Sequence, residues 1–437
     1  MIKAFGDIWK IGDLRKKLLF TLGIIAVYRF GSHIPLPGID TAVLAQVFQS
    51  MRGSVMGLYD IFVGGNLSRA TIFALGIMPY ISASIILQIL GATIPYYQKL
   101  IKEGEEGRRK INQHTRYLTV AIGIVQSTGI SIFLESMKAA GGAPVVPFPG
   151  VFFRFSTILT LTAGTIFIMW LGELITDKGI GNGISLIIMI GILARFPAQT
   201  LNFIRMLRSG ALSWVFGLAF VTFAFFITMA VVLVTQAQRR IPVQYAKRVI
   251  GRKIYGGQST HLPLNVNAAG IIPIIFAQSA LMLIPTFAGF FRNQAWAQTI
   301  VSILSPGGLL YNSLYVILII AFAYIYTAIV INPNELADNM KKYGGFIPGI
   351  RPGKQTADYI DKVMSRITLP GAVFFAFIAV LPTLLINKFH LPFYFGGTSL
   401  LIIVGVALDT IQQLESQLLM RHYEGFVRKG RVRGRRR

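Results

Sequence analysis

Ionisable side chains set into apolar runs are what an ion-coupled membrane transporter would need, so these few residues come first. Glu173 and Asp177 close the fourth apolar run, Asp409 and Glu415 lie in the last turns of the tenth, and Arg29 sits near the end of the first. All are near helix ends, where a charge reaches an interface or caps a terminus at modest cost. No carboxylate stands out at mid-membrane. The five histidines, His33, His114, His261, His390 and His422, are scattered, and there is no cysteine. Thiolate metal sites and disulfides are therefore excluded, and no metal site or cofactor is expected. Neither a phosphate-binding loop, nor a metalloprotease helix, nor a nucleophile elbow occurs. The run "GIGNGIS" (Gly179 to Ser185) has three glycines but no preceding strand, and reads as a turn into a helix. The chain is thus not expected to be an enzyme. If it moves anything, the energy comes from a partner.

The elements that position these residues follow from composition. Of 437 residues 54% are hydrophobic and 14% charged, and the mean hydropathy is +0.61. So much apolar surface implies lipid as solvent. Ten runs of spanning length centre near Ile24, Ile85, Ile124, Phe167, Ile187, Phe225, Ile275, Ile320, Phe377 and Val404. The first run passes into "RFGSHIPLPG" rather than a small-residue cleavage site, so no cleavable signal peptide is expected. Net charge is +25, and 32 of the 42 Lys and Arg fall on one alternate set of loops. That asymmetry predicts both termini on the cytoplasmic side.

Ten segments divide into five and five, and an odd number per half predicts two halves inserted upside down relative to each other. The expected boundaries are 1–195 and 196–415, with a basic tail over 416–437. Segment two contains "GIMPYI" (Gly76 to Ile81) and segment seven "GIIPII" (Gly270 to Ile275), matching Gly and Pro at the same place in each half. At 3.6 residues per turn Ile77 and Ile81 share a face, as do Ile188 and Ile192, and Ile275 follows Pro273. Such isoleucines either face lipid or core, or form an apolar constriction that blocks water by dewetting. Ahead of segment two, "LYDIFVGGNLSRATIF" is too short and polar to span, and Gly64-Gly65-Asn66 marks a turn. It is either an outer loop or a re-entrant element buried in protein or beside a cavity.

Two long loops on the cytoplasmic side are basic. Residues 236–267 alternate as a β-hairpin, with Gly251-Arg252-Lys253 at the tip; residues 332–368 read as helix, turn, helix, with Arg351 at the apex. Their charge suits anionic lipid or an acidic docking partner, RNA included.

Six long motifs, "SRATIFALGIMPYISASIILQIL", "KEGEEGRRKINQHTRY", "GIGNGISLII", "NAAGIIPIIFA", "GGFIPGIRPGKQTADYIDKV" and "PFYFGGTSLLI", make the chain resemble the SecY/Sec61 family over essentially its whole length. The resemblance implies an all-α polytopic membrane protein of the bacterial inner membrane. Its ten transmembrane helices would surround an hourglass pore that conducts unfolded preproteins and releases transmembrane segments sideways. Carried over motif by motif, it implies a pore ring of Ile77, Ile81, Ile188, Ile192, Ile275 and Ile402. It implies a plug over about 58–71 (Leu58, Ile61, Phe62, Gly64, Gly65, Asn66 and Arg69 within it), and a lateral gate with Ser82, Gln88 and Asn267 as its polar cluster. Arg252, Lys253 and Arg351 would dock a SecA motor ATPase or a ribosome. The tip reads Arg-Lys where the family usually has Arg-Arg, which keeps the charge without the second bidentate fork. The implied partners are SecE and SecG, signal-sequence-bearing preproteins, SecD/SecF, YidC and anionic lipid. Two rival classes make different demands: a solute transporter needs a polar or charged residue at the midplane, and a membrane scaffold needs nothing of the isoleucines.

Overall fold

The computed structural model describes residues 11–50, 55–139, 141–245, 248–250, 253–255, 259–289, 294–305, 308–389 and 397–429. The first elements are α1 (Gly12–Gly31), α2 (Thr41–Ser50) and α3 (Val55–Phe62). It continues with α4 (Met78–Thr93), α5 (Pro95–Lys102), α6 (Glu105–Ser136), α7 (Val151–Lys178), α8 (Gly183–Leu193) and α9 (Phe196–Arg208). Then follow α10 (Trp214–Gln236), β1 (Gln238–Tyr245), β2 (Arg248–Ile250), β3 (Lys253–Tyr255), β4 (Ser259–Asn265), α11 (Ile272–Gly289) and α12 (Ala295–Ile303). The chain ends with α13 (Leu309–Val330), α14 (Pro333–Lys342), β5 (Gly345–Phe346), α15 (Lys354–Phe389) and α16 (Gly397–Lys429).

All ten expected segments fall on helices, carried by α1, α4, α6, α7, α8 with α9, α10, α11, α13, α15 and α16. Among the described residues seven stretches cross a membrane on length and apolarity alone. An eighth is α4 with α5, bent by 95° where Pro95 opens the second helix. The apolar part of α11, Ile272–Ile284, is shorter. The outward faces are greasy: Phe152, Leu218 and Phe225 are 87%, 72% and 66% exposed. In water that would be an aggregation liability; for a chain in lipid it is the solvated surface.

Local chemistry explains the helix starts. Gly76 and Pro79 do not interrupt a membrane helix; they begin one. Gly76 takes φ +57 and Pro79 is the second residue of α4, where its missing N–H costs nothing. The start of α11 repeats this: Gly270 takes φ +63 and Pro273 is the second residue of α11. Both glycine N–H groups donate back three residues, Gly76 to the Phe73 carbonyl (2.8 Å) and Gly270 to that of Asn267 (3.2 Å). The "GIGNGIS" turn also serves its helix, since the Asn182 side chain accepts from the Ser185 N–H and caps α8. Here Gly183 lies against the Gly172 carbonyl, so α7 and α8 fold into a close pair that a side chain would wedge apart.

The two basic loops form one body. β1 pairs antiparallel with β4 and β5, so the first loop's hairpin and the short strand of the second loop share a sheet, β4-β1-β5. The strand β5 is an addition to the expected helix-turn-helix. Under the sheet Ile241, Leu264, Ile347, Ile360 and Met364 make a core separate from the membrane bundle. Ile360→Ala is expected to cost about 2–5 kcal/mol of local stability. Limited proteolysis should then cut both loops faster while membrane insertion is unchanged.

Candidate functional site

The residues 63–77 between α3 and α4 are non-helical, and they are buried except for half-buried Ser68 and Ile72 and exposed Arg69. Val63, Leu67, Ala70, Phe73 and Ala74 are at most 4% exposed, and Tyr59 and Phe62 of α3 are 4% and 8%. This is irregular backbone largely enclosed by protein, the condition that the re-entrant reading needs. The Leu58 side chain lies outside the description.

Its seat is formed by glycines. Gly64, at φ +80, lies so close to Gly191 of α8 that a Cβ there would be 2.7 Å from the Gly191 Cα. Gly76 receives Val63, whose Cγ1 would be 2.8 Å from a Cβ. These contacts fall beside the isoleucines, since Gly191 lies between Ile188 and Ile192 and Gly76 adjoins Ile77. Ile77, Ile81, Ile188, Ile192, Ile275 and Ile402 are 5%, 2%, 3%, 7%, 4% and 0% exposed. All six share one continuous apolar cluster with Tyr59, Phe62, Val63 and Leu67. Ile61 is half-buried, and Gly65 and Asn66 are buried in the turn.

One ion pair was not read from the sequence. Asp60, buried at 2% exposure, accepts from Arg195 Nη2 through Oδ2 at 2.7 Å. Its Oδ1 accepts the Ser68 N–H at 2.7 Å and its carbonyl the Gly65 N–H at 2.7 Å. Arg195 stands at the break between α8 and α9, about midway along the span Gly183–Arg208. Asp60 belongs to a segment too short to span, and Arg195 followed segment five, so neither was weighed among the charges set into apolar runs. The available signal was one charge alone in each of "LYDIFV" and "GILARFP".

Further out, Arg69 is exposed and its guanidinium donates to His33 Nε2 at 3.2 Å, while His33 Nδ1 donates to the Arg29 carbonyl at 2.8 Å. Inside the segment Asn66 Nδ2 donates to the Val63 carbonyl at 2.8 Å, and Tyr59 donates to that of Leu75 at 3.2 Å.

The whole-chain comparison decides the family. The SecY profile matches residues 71–411. The chain is 49% identical over 427 residues to the protein translocase subunit SecY of Escherichia coli, covering 97% of this chain and 96% of the relative. It is 47% identical over 423 residues to that of Aquifex aeolicus, covering 97% and 98%. The chain belongs to the SecY family. As a fold, it matches a structure titled for a SecY plug domain that stabilizes the closed state of the translocation channel and maintains a membrane seal, with TM-score 0.66, 18% identity and coverage of 92% and 91%. It also matches Sec61 in a canine ribosome-channel complex, with TM-score 0.60, 18% identity and coverage of 92% and 91%.

In this SecY-family chain α11 packs against α4, α6 and α13. Across the α4–α11 contact Ser279 Oγ lies 3.8 Å from Met78 Sδ, while also donating to the Ile275 carbonyl. Gln126 of α6 is buried with its Oε1 unpartnered. Ser82 donates to the Met78 carbonyl of its own helix, Gln88 donates to Ser84, and Asn267 sits in the turn ahead of α11. Among the described residues no hydrogen bond joins these three. Arg351 is exposed in the turn before α15. Arg252 lies outside the described residues, as does the side chain of Lys253, the first residue of β3.

A Cβ at Gly64 is opposed both by the positive φ and by Gly191. Gly64→Val should cost at least about 1–2 kcal/mol from backbone strain alone. A cysteine at Ser68 should then react faster with an external maleimide than in the parent.

Proposed function

We propose that this chain is the channel-forming subunit of a protein translocase, a passive pore shut at rest by the six isoleucines and by the segment 58–71 lying on them. The observation that carries the reading is the close fit of Gly64 on Gly191 and of Val63 on Gly76, beside the isoleucines. An apolar constriction blocks ions by dewetting and offers a polar solute nothing to bind. Branched side chains can also close around a moving polypeptide of any sequence. Family membership supports the same function, and places the chain among non-enzymatic, multi-pass membrane pore subunits.

The finer reading has the termini on the cytoplasmic side and two halves, 1–195 and 196–415, related by inversion. The paired Gly-Pro helix starts support the inversion. Signal sequences enter where α11 meets α4 and α6, and apolar segments leave there by partition. The united basic loops receive a SecA-type motor or a ribosome, the latter supported by the ribosome-bound neighbour. Lys and Arg on a rigid sheet suit phosphate backbone or an acidic protein face. Energy is supplied by that partner, and SecE and SecG complete the assembly.

One observation bears on the solute-transporter class, since the Asp60–Arg195 pair has a carboxylate enclosed by protein. Its carboxylate is already satisfied by Arg195 and the Ser68 N–H, which leaves it poorly placed to hold a solute.

In planar bilayers the parent should be silent, and a variant lacking 58–71 should give large, flickering currents. Silence in a folded deletion variant would overturn the channel. Replacing Ile81 or Ile192 by Ser should leak ions at rest; a tight membrane would remove them from the seal. Arg351→Glu should abolish motor-driven export in membrane vesicles while the protein stays inserted, and unchanged export would remove Arg351 from the docking face.

A further inference from the structure

We propose that the Asp60–Arg195 ion pair is the latch of the closed pore, and that it holds while the pore is dry and weakens once water enters. This rests on the channel reading and concerns what keeps the segment seated.

Most of the contact between the segment and the pore wall is apolar. Tyr59, Phe62, Val63 and Leu67 belong to the same cluster as the isoleucines. Apolar contact is non-directional, and it fixes no position more finely than shape does. The Gly64–Gly191 contact allows close approach but provides no bond. The ion pair supplies direction. Of the ion pairs described, Arg116–Glu173 and Arg154–Glu135 both join α6 to α7, and their arginines are about half exposed. Only Asp60–Arg195 crosses from the segment to the wall among these, and it is the most enclosed, with side-chain exposure of 3% for Asp60 and 29% for Arg195.

Asp60 also carries the segment with it. Its Oδ1 holds the Ser68 N–H and its carbonyl the Gly65 N–H, so the turn 65–68 is built on the residue that grips the wall. Arg195 is three residues beyond Ile192, and its Nε would lie 3.3 Å from a Cβ on Gly65. Moving the segment off the isoleucines therefore separates the two charges. Arg195 Nη1 already lacks a partner in the closed state, so the guanidinium gains solvation as water arrives.

The physics then favours two states. With Asp60 at 3% exposure, the attraction between the two charges is screened less than that of a pair in open water. A polypeptide entering the pore brings water, and exposed ion pairs are worth little. The latch is thus firm when the pore is closed and slack when it is occupied, and the segment is not drawn back onto a moving chain.

The test measures resting conductance of the purified full chain in planar bilayers. Asp60→Asn and Arg195→Gln should each raise resting open probability by about tenfold or more, because each leaves one buried charge unpaired. The parent has no cysteine, so Asp60→Cys with Arg195→Cys can be bridged specifically by a short bis-maleimide. Unbridged, this double variant should leak; bridged, it should be silent, which a misfolded protein would not become. The deletion of 58–71 is the control. Single variants as silent as the parent beside a leaking deletion overturn the latch and leave the channel standing. A leak that persists after bridging also overturns the latch. A silent deletion removes the channel reading and the latch with it.

Discussion

Backbone that leaves helical geometry at membrane depth finds no water to bond, so every N–H and C=O must be satisfied inside the protein. The constraint bears hardest on residues 63–77, and the arrangement around them follows from it. The Gly65 N–H goes to the Asp60 carbonyl, the Ala70 N–H to Leu67, the Thr71 N–H to Asn66, the Ala74 N–H to Thr71 and the Gly76 N–H to Phe73. The edge is closed from outside the segment: the Leu36 N–H donates to the Ala70 carbonyl and the Ile72 N–H to that of Ile34. Side chains add further partners: Asn66 at the Val63 carbonyl, Asp60 at the Ser68 N–H and Thr71 Oγ1 at the Phe73 N–H. Most of these bonds lie within the segment, and those to Ile34 and Leu36 tie it to the loop after α1.

The seat shows how size discriminates. Glycines meet where two backbones approach, at Gly64 on Gly191 and at Gly183 on Gly172, and isoleucines fill the space around them. Phe73 closes the layer above, stacked between Tyr28 at 5.8 Å and Phe167 at 6.2 Å. The packing is therefore closest where the glycine backbones meet and is completed by side chains around them.

The body built by the two basic loops is held differently. It lies outside the apolar bundle, so it needs its own core, and the β4-β1-β5 sheet over Ile360 and Met364 provides one. Two loops separated by the apolar helices α11 and α13 become one rigid platform. The strands were legible for the first loop because alternation is a local signal, whereas β5 is too short to leave one.

The sequence by itself determined what depends on neighbours along the chain. Hydrophobic length set the ten helices, loop charge the expected orientation, and the Gly and Pro positions the two helix starts; only their sense as starts rather than breaks needed the structure. The resemblance read from long motifs named the family and the isoleucines. Tertiary structure alone decided what lies far apart in sequence. Asp60 and Arg195 are separated by 135 positions, and nothing local to either says that the other is near. Ser82, Gln88 and Asn267 show the converse, since each has its nearest described bond within its own helix or turn. The reason is physical: propensity and amphipathicity act over a few residues, while pairing charges in a low-dielectric interior is settled only once the helices have packed.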